Sequence, residues 1–212
     1  PSGDEILALD ASDQFGYAVD SWNDRMVVGI PSWADVGAVA IYERDTNDAW
    51  LLAAAFSPAG LSTGARFGHD AAIDADTVVV GAPFHDAVIG GQAASNHGSA
   101  WVYARQPDGS WLQQAELQGD TSSPGHDTLG TGVAVSGDRL ALGAKGALST
   151  YTYSRTGTTW TLEPTLVSPD LGVPPFQPMD FGAHVDMHDD RLVIADDLFR
   201  AGGNAKSGRV YT

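Results

Sequence analysis

Four copies of one pattern run in register along this 212-residue chain, and the repeat limits what it can fold into. Phe15, Phe67, Leu129 and Phe181 are each followed by glycine, at intervals of 52, 62 and 52 residues. Nine residues beyond each stands an aspartate (Asp24, Asp76, Asp138, Asp190), and five further on come Gly29, Gly81, Gly143 and Ala195. The second copy, from Phe67 to Trp111, shows the marks most clearly. A period near fifty residues means stacked units of the same small motif that share one continuous core.

Within each copy the apolar residues read as strands. Met26-Val27-Val28, Val78-Val79-Val80, Leu140-Ala141-Leu142 and Leu192-Val193-Ile194 are unbroken apolar runs, the pattern of a strand covered on both faces. Before each run the pairs Asn23-Asp24, Ala75-Asp76, Gly137-Asp138 and Asp189-Asp190 read as two-residue hairpin turns, where such residues tolerate positive φ. Strand one is expected to start at the Phe-Gly pair, and strand three follows as Ala38 to Tyr42, Ser99 to Tyr103, Leu148 to Tyr153 and Arg209 to Thr212. Tyr-x-Arg closes it at Tyr42, Tyr103 and Tyr153, and strand four opens at Trp50, Trp111 and Trp160, aromatics read as packing rather than as a ligand platform. No segment carries a capped 3.6-residue period, and 25 glycines and 11 prolines interrupt the chain. Four short antiparallel strands per copy describe the blades of an all-β propeller. The blades are expected at about 15–56, 67–117, 129–166 and 181–212, the last completed by a strand at 4–9, within a single domain over 1–212.

Composition narrows the function classes. Eleven basic against 27 acidic residues give a net charge of -16, which repels phosphate backbones and argues against a nucleic-acid partner. There is no cysteine, so burial alone must stabilise the fold. No run approaches the length of a membrane helix, so no membrane insertion is expected.

Phe-Gly followed fourteen residues later by Gly-Ala-Pro, as in Phe67-Gly68 and Gly81-Ala82-Pro83 with Gly98 and Trp111, resembles the FG-GAP repeat of integrin-α-type β-propellers in its bacterial extracellular form. Other copies drift: Leu129-Gly130 stands for Phe-Gly, and Gly29-Ile30-Pro31, Gly143-Ala144-Lys145 and Ala195-Asp196-Asp197 stand for Gly-Ala-Pro. Many members of that family hold Ca²⁺ in an Asp-x-Asp-x-Asp-Gly loop between strands one and two. A two-residue turn cannot supply the 6 to 8 oxygens that Ca²⁺ needs, so that site is expected to be absent and no cofactor is expected. Calcium at the opposite, loop-bearing face stays open, with no motif behind it. The family usually closes with seven blades, whereas this chain has four copies. The reading is a four-bladed ring closed by the N-terminal strand, with Ile6 and Leu9 buried; the alternative is an open arc or a fragment of a seven-bladed propeller.

Four His-Asp pairs (His69-Asp70, His85-Asp86, His126-Asp127, His188-Asp189) fall at unrelated points of the repeat and are not expected to converge on a metal. Gly60-Leu61-Ser62-Thr63-Gly64 carries the Gly-x-Ser-x-Gly spacing, but no strand–turn–helix nucleophile elbow is expected in a chain without helices. Loop length is more informative. From the glycine position ending strand two to the glycine opening strand three, the gap is 8, 17, 3 and 13 residues in successive copies. These loops and those preceding each Phe-Gly share one face, where binding on a rigid scaffold usually resides. The expected ligand-binding residues are Trp33, Asp35, Phe84, His85, Asp86, Phe176, Asp180, Asp196, Asp197 and Phe199. The resemblance implies a non-catalytic extracellular or cell-surface adhesion module whose partner is an extracellular protein. A lectin-like propeller that binds a glycan is the alternative, and a hydrolase domain is the rival from another class.

Overall fold

The computed structural model describes residues 10, 12–89, 91–119, 125–169, 171, 180–197 and 208–212. They build five antiparallel sheets, four of them one for each copy of the repeat and the fifth a small two-stranded hairpin. The first contains β1 (Val19–Trp22), β2 (Arg25–Ile30), β3 (Ala38–Arg44) and β4 (Trp50–Phe56) in sequence order. The second starts with β5 (Asp70–Asp74) and β6 (Thr77–Ala82), is interrupted by a small hairpin of β7 (Ala87–Ile89) and β8 (Gln92–Ala94), and resumes with β9 (Ser99–Arg105) and β10 (Trp111–Leu117). The third holds β11 (Leu129–Ser136), β12 (Arg139–Ala144), β13 (Ser149–Thr156) and β14 (Thr159–Leu162), with β15 (Leu166–Val167) continuing along β13. The fourth has β16 (His184–His188), β17 (Arg191–Asp196) and β18 (Arg209–Tyr211). Among the described residues no helix is long and apolar enough to cross a membrane.

The first hairpin of every sheet has the same register. Trp22 pairs with Arg25, Asp74 with Thr77, Ser136 with Arg139 and His188 with Arg191, leaving two turn residues. Only the first takes positive φ: Asn23 at 50°, Ala75 at 49°, Gly137 at 56° and Asp189 at 53°. The recurrent aspartate in second place therefore has a different task from the one read in the sequence. Asp24 and Asp138 accept the Nε donors of Arg44 (3.1 Å) and Arg155 (2.8 Å), arginines of the Tyr-x-Arg signature. Asp76 instead accepts Arg25 Nη1 of the preceding sheet at 2.9 Å.

The Phe-Gly pair does not open strand one, as expected, except in the third sheet, where β11 begins at Leu129. Elsewhere it forms a turn ahead of the strand, and that turn locks neighbouring sheets together. The Gly68 amide donates to the Gly81 carbonyl of its own sheet at 3.0 Å, with Gly68 at φ +87°. Its own carbonyl then lies on the Cα of Gly29 in the preceding sheet, so closely that a methyl group on Gly29 would overlap it. Gly130 sits on Gly81 and Gly182 on Gly143 in the same way. Both glycines of the repeat are thus required, one for its left-handed backbone and the other for the missing side chain.

Apolar residues fill the space between sheets. Val27, Val39 and Ile41 of the first pack on Phe67, Val78, Val80 and Trp101 of the second. Val79, Val102 and Leu117 of the second pack on Leu129, Val133, Leu142 and Tyr151 of the third. The expected burial of strand two on both faces holds for β2, β6 and β12 beyond their first residues. In β17 burial alternates instead, because its far face has no covering sheet among the described residues. The innermost strands stand side by side, β1 by β5, β5 by β11 and β11 by β16, around a central channel of about 450 Å³. Among the described residues no comparable packing joins β16 to β1. The expected N-terminal strand at 4–9, with Ile6 and Leu9, lies outside the described residues.

Candidate functional site

At the loop end the central channel opens into a mouth of about 400 Å³. Its wall comes first from the residue two places after each repeat's opening position: Tyr17, His69, Thr131 and Ala183. In the first, second and fourth copies this residue follows the Phe-Gly turn and in the third it lies within β11, so one register position supplies one wall residue per sheet. The loops after strand two add Phe84, Lys145 and Asp197, and Asp180 enters from the loop before the fourth copy. Asp70, Thr128 and His184 complete the wall.

One side of the mouth is aromatic and cationic. The Tyr17 and His69 rings lie 5.2 Å apart, and His69 meets Phe84 edge-on at 6.2 Å. The Arg66 guanidinium covers both the Tyr17 ring (5.6 Å) and the Phe84 ring (6.0 Å), while its Nη2 donates to Gln14 Oε1 at 2.9 Å. Such cation–π contacts hold an arginine in place while leaving charge available to a ligand. The opposite side is polar. Lys145 Nζ pairs with Asp180 Oδ2 at 3.2 Å, and Thr131 Oγ1 donates to the Thr128 carbonyl at 2.6 Å.

Two adjacent groups are tuned in opposite senses. Burial, reinforced by the nearby Arg66, lowers the His69 imidazole to about 4, so the ring is neutral near pH 7. Its Nδ1 is buried without a hydrogen-bond partner. Burial raises the Asp70 carboxyl to about 6, opposed by the amides of Val133 and Ala71 that it accepts. Among the described residues no three of His, Asp and Glu gather closely enough to hold a metal ion.

Of the residues expected to bind ligand, the mouth collects Phe84, Asp180 and Asp197. Trp33 packs half-buried on Ile30, Ala38 and Ala40, and Asp35 lines a shallow hollow with Ser32 and Arg66, away from the axis. His85 and Asp86 secure their own loop. Ser62 N donates to His85 Nδ1 at 3.2 Å, the Asp86 amide donates to Ser62 Oγ, and Asp86 Oδ1 accepts Asn96 N at 2.9 Å. Burial lowers the His85 imidazole as well. Asp196 is fully buried and accepts the Asp180 amide at 3.1 Å, holding that wall residue in position. Phe176 and Phe199 lie outside the described residues. The His-Asp pairs do not meet as pairs, but His69 and His184 do face the same mouth. Sequence reasoning missed Tyr17, His69 and Thr131, whose shared register position was the signal that could have found them, whereas Lys145 and His184 carried no signal of their own.

An FG-GAP repeat family model matches residues 50–103, which span the clearest Phe-Gly and Gly-Ala-Pro of the chain. No curated protein matches the chain. Among solved structures, the β-propeller domain of Cps50 (Swd1) from Myceliophteria thermophila is similar, with a TM-score of 0.51 and 13% identity over 84% of this chain. The match covers 48% of that structure, so the present chain spans about half its length. At this identity the likeness is one of fold alone.

Proposed function

We propose that this chain, whose residues 50–103 match an FG-GAP repeat model and whose fold is similar to a β-propeller, is a non-catalytic interaction module that binds an extracellular or cell-surface protein at the mouth of its central channel. The carrying observation is the Tyr17, Arg66, Phe84 and His69 cluster, a half-exposed aromatic wall held by one guanidinium at the open end of a rigid channel. Aromatic and arginine side chains at the centre of a contact patch carry most of the energy of protein recognition. Lys145, Asp180 and Asp197 supply both signs of charge around it, suiting a polar peptide segment more than a uniformly charged one. Two of the three carboxyl groups there are engaged, Asp180 by Lys145 and Asp70 by backbone amides, which favours binding over acid–base chemistry.

In this reading the four sheets are four blades, and binding requires neither cofactor nor calcium. A glycan is the second reading, because Tyr17 and Phe84 offer flat faces beside the Thr128 and Thr131 hydroxyls. Immobilised peptides, matrix proteins and glycans, screened with and without Ca²⁺, test the proposal. Tyr17→Ala and Phe84→Ala should each weaken a hit by about 1–2 kcal/mol, while Asn23→Ala at the hairpin end should not. Binding lost on Asn23→Ala but kept in both mouth variants would place the site at the wrong end.

A further inference from the structure

One guanidinium of this acidic molecule is held firmly in place and left without a counter-charge. Arg25, Arg44, Arg105, Arg139, Lys145 and Arg155 each pair with a carboxylate at 2.8 to 3.3 Å. Arg66 pairs with none among the described residues, in a chain of 27 acidic and 11 basic residues. Asp35 lines the same shallow hollow as Arg66 but forms no ion pair with it. Asp180 is taken by Lys145 and Asp70 by two backbone amides, while Asp197 follows β17 of the fourth sheet. Arg191, which also has no carboxylate partner among the described residues, is an exposed residue beside a hairpin turn. Arg66 instead stands at the channel mouth.

The local backbone does not require the charge. Gln14, Arg66 and Thr128 precede the opening pairs of the first three copies and all take left-handed backbone, at φ 61°, 58° and 52°. The Gln14 carbonyl accepts Tyr17 N at 3.1 Å just as the Arg66 carbonyl accepts His69 N at 2.9 Å, so a neutral residue makes the same turn. What the surroundings fix is the orientation of the guanidinium. It lies over the Tyr17 and Phe84 rings and gives one Nη2 hydrogen to Gln14 Oε1, which Ser32 Oγ holds from the other side at 2.7 Å. A guanidinium has two edges at which a pair of parallel N–H donors can meet a carboxylate, Nε with Nη2 and Nη1 with Nη2. Each edge draws on a different Nη2 hydrogen. The bond to Gln14 therefore occupies one edge and leaves the other whole. His69 on the same wall is neutral near pH 7, so Arg66 supplies the positive charge there.

We infer that the open edge of Arg66 is the recognition site for a carboxylate, that of an aspartate or glutamate side chain presented by the protein partner. This rests on the mouth being the binding site and names the group that the mouth selects. A carboxylate supplies the two acceptors that this edge lacks, and a stacked, pre-oriented guanidinium loses little freedom in taking it. An acidic polysaccharide carries the same group, but its repeated negative charges would meet a protein of net charge -16. A single acidic side chain among polar neighbours meets that repulsion only once.

The Nε–H resonance of Arg66 reads this contact directly in the full 212-residue chain, isotope-labelled, and is assigned by its loss in Arg66→Lys. The probes are glutamate blocked at both ends (acetyl-Glu-methylamide), its glutamine analogue and glucuronate. Blocking the ends leaves the side chain as the probe's only carboxylate. The expected result is that blocked glutamate shifts the Arg66 resonance saturably and that the glutamine analogue does not. Gln14→Glu, which hands Arg66 a carboxylate from within the chain, should weaken the probe about tenfold without lowering the melting temperature. An Arg66 resonance that no probe moves, or that both blocked amino acids move alike, overturns the inference. So does Gln14→Glu with the probe's affinity unchanged, and so does a stronger response to glucuronate, which would assign the edge to an acidic glycan. A protein partner weakened by Tyr17→Ala but not by Arg66→Lys removes this inference alone and leaves the mouth as the binding site. A partner indifferent to Tyr17→Ala, Phe84→Ala and Arg66→Lys removes both.

Discussion

The second and fourth sheets descend from the same sequence pattern, yet one is sealed and the other is half open. In the second, β6 is buried along its whole length between two neighbours, and Gly81 carries the Gly130 carbonyl. In the fourth, β17 has a buried Ile194 beside an exposed Val193, and Ala195 stands where the glycine would be. What differs is not the local propensity, since both strands are runs of apolar β-formers. A repeat unit is stabilised through its neighbours, so the same residue is worth several kcal/mol between two sheets and little at an open face.

The comparison would break most visibly at the aromatic of the Phe-Gly pair. Phe67→Ala empties a fully enclosed site and should cost about 3–5 kcal/mol in denaturant unfolding, whereas Phe15→Ala should cost less than about 1 kcal/mol. Equal losses would mean that the first sheet is covered after all. Next in size is the glycine position. Gly81→Val should destabilise by about 3 kcal/mol, lowering the melting temperature by ~10 °C, and Ala195→Val should stay within about 1 kcal/mol.

The comparison also has a titrating form, because among the register positions Tyr17, His69, Thr131 and Ala183 only the second copy carries an imidazole. The folded-state value of His69 is about 4 against 6.5 when unfolded. The unfolded chain therefore takes up the proton first, and the stability that His69 contributes above pH 6.5 is lost as pH falls towards 4. Asp70 acts in the opposite sense: its folded carboxyl holds a proton to about 6 and its unfolded one only to 3.8, so its contribution declines as pH rises between them. His69→Gln should then flatten the acid loss of melting temperature between pH 6.5 and 4, and Asp70→Asn should steepen it. A profile that His69→Gln leaves unchanged would show the ring to be solvated. The smallest effect concerns the strand-four tryptophans. Trp160 donates from Nε1 to Gln114 Oε1 at 2.7 Å beneath the Arg155 guanidinium, and Trp160→Phe should cost about 1 kcal/mol. The same change at the exposed Trp50 should be silent by calorimetry.

Much of this molecule was legible from its residues alone. The period of the Phe-Gly and glycine marks, the two-residue turns and the apolar runs determined an all-β array of antiparallel sheets, because hairpin register and strand burial follow from residues a few positions apart. The aspartate at the second turn position was legible as a mark but not as a partner of Arg44 or Arg155, for that pairing crosses two strands. Phe84, Asp180 and Asp197 were placed on the binding face from loop position. Tyr17 and His69 were not, because two places after a Phe-Gly turn means the axis only once the turn's direction is known. Why Ala195 matters was equally hidden. Glycine and alanine differ little within a strand, and only the approach of the next sheet's carbonyl turns one methyl group into the difference between a filled junction and an open one.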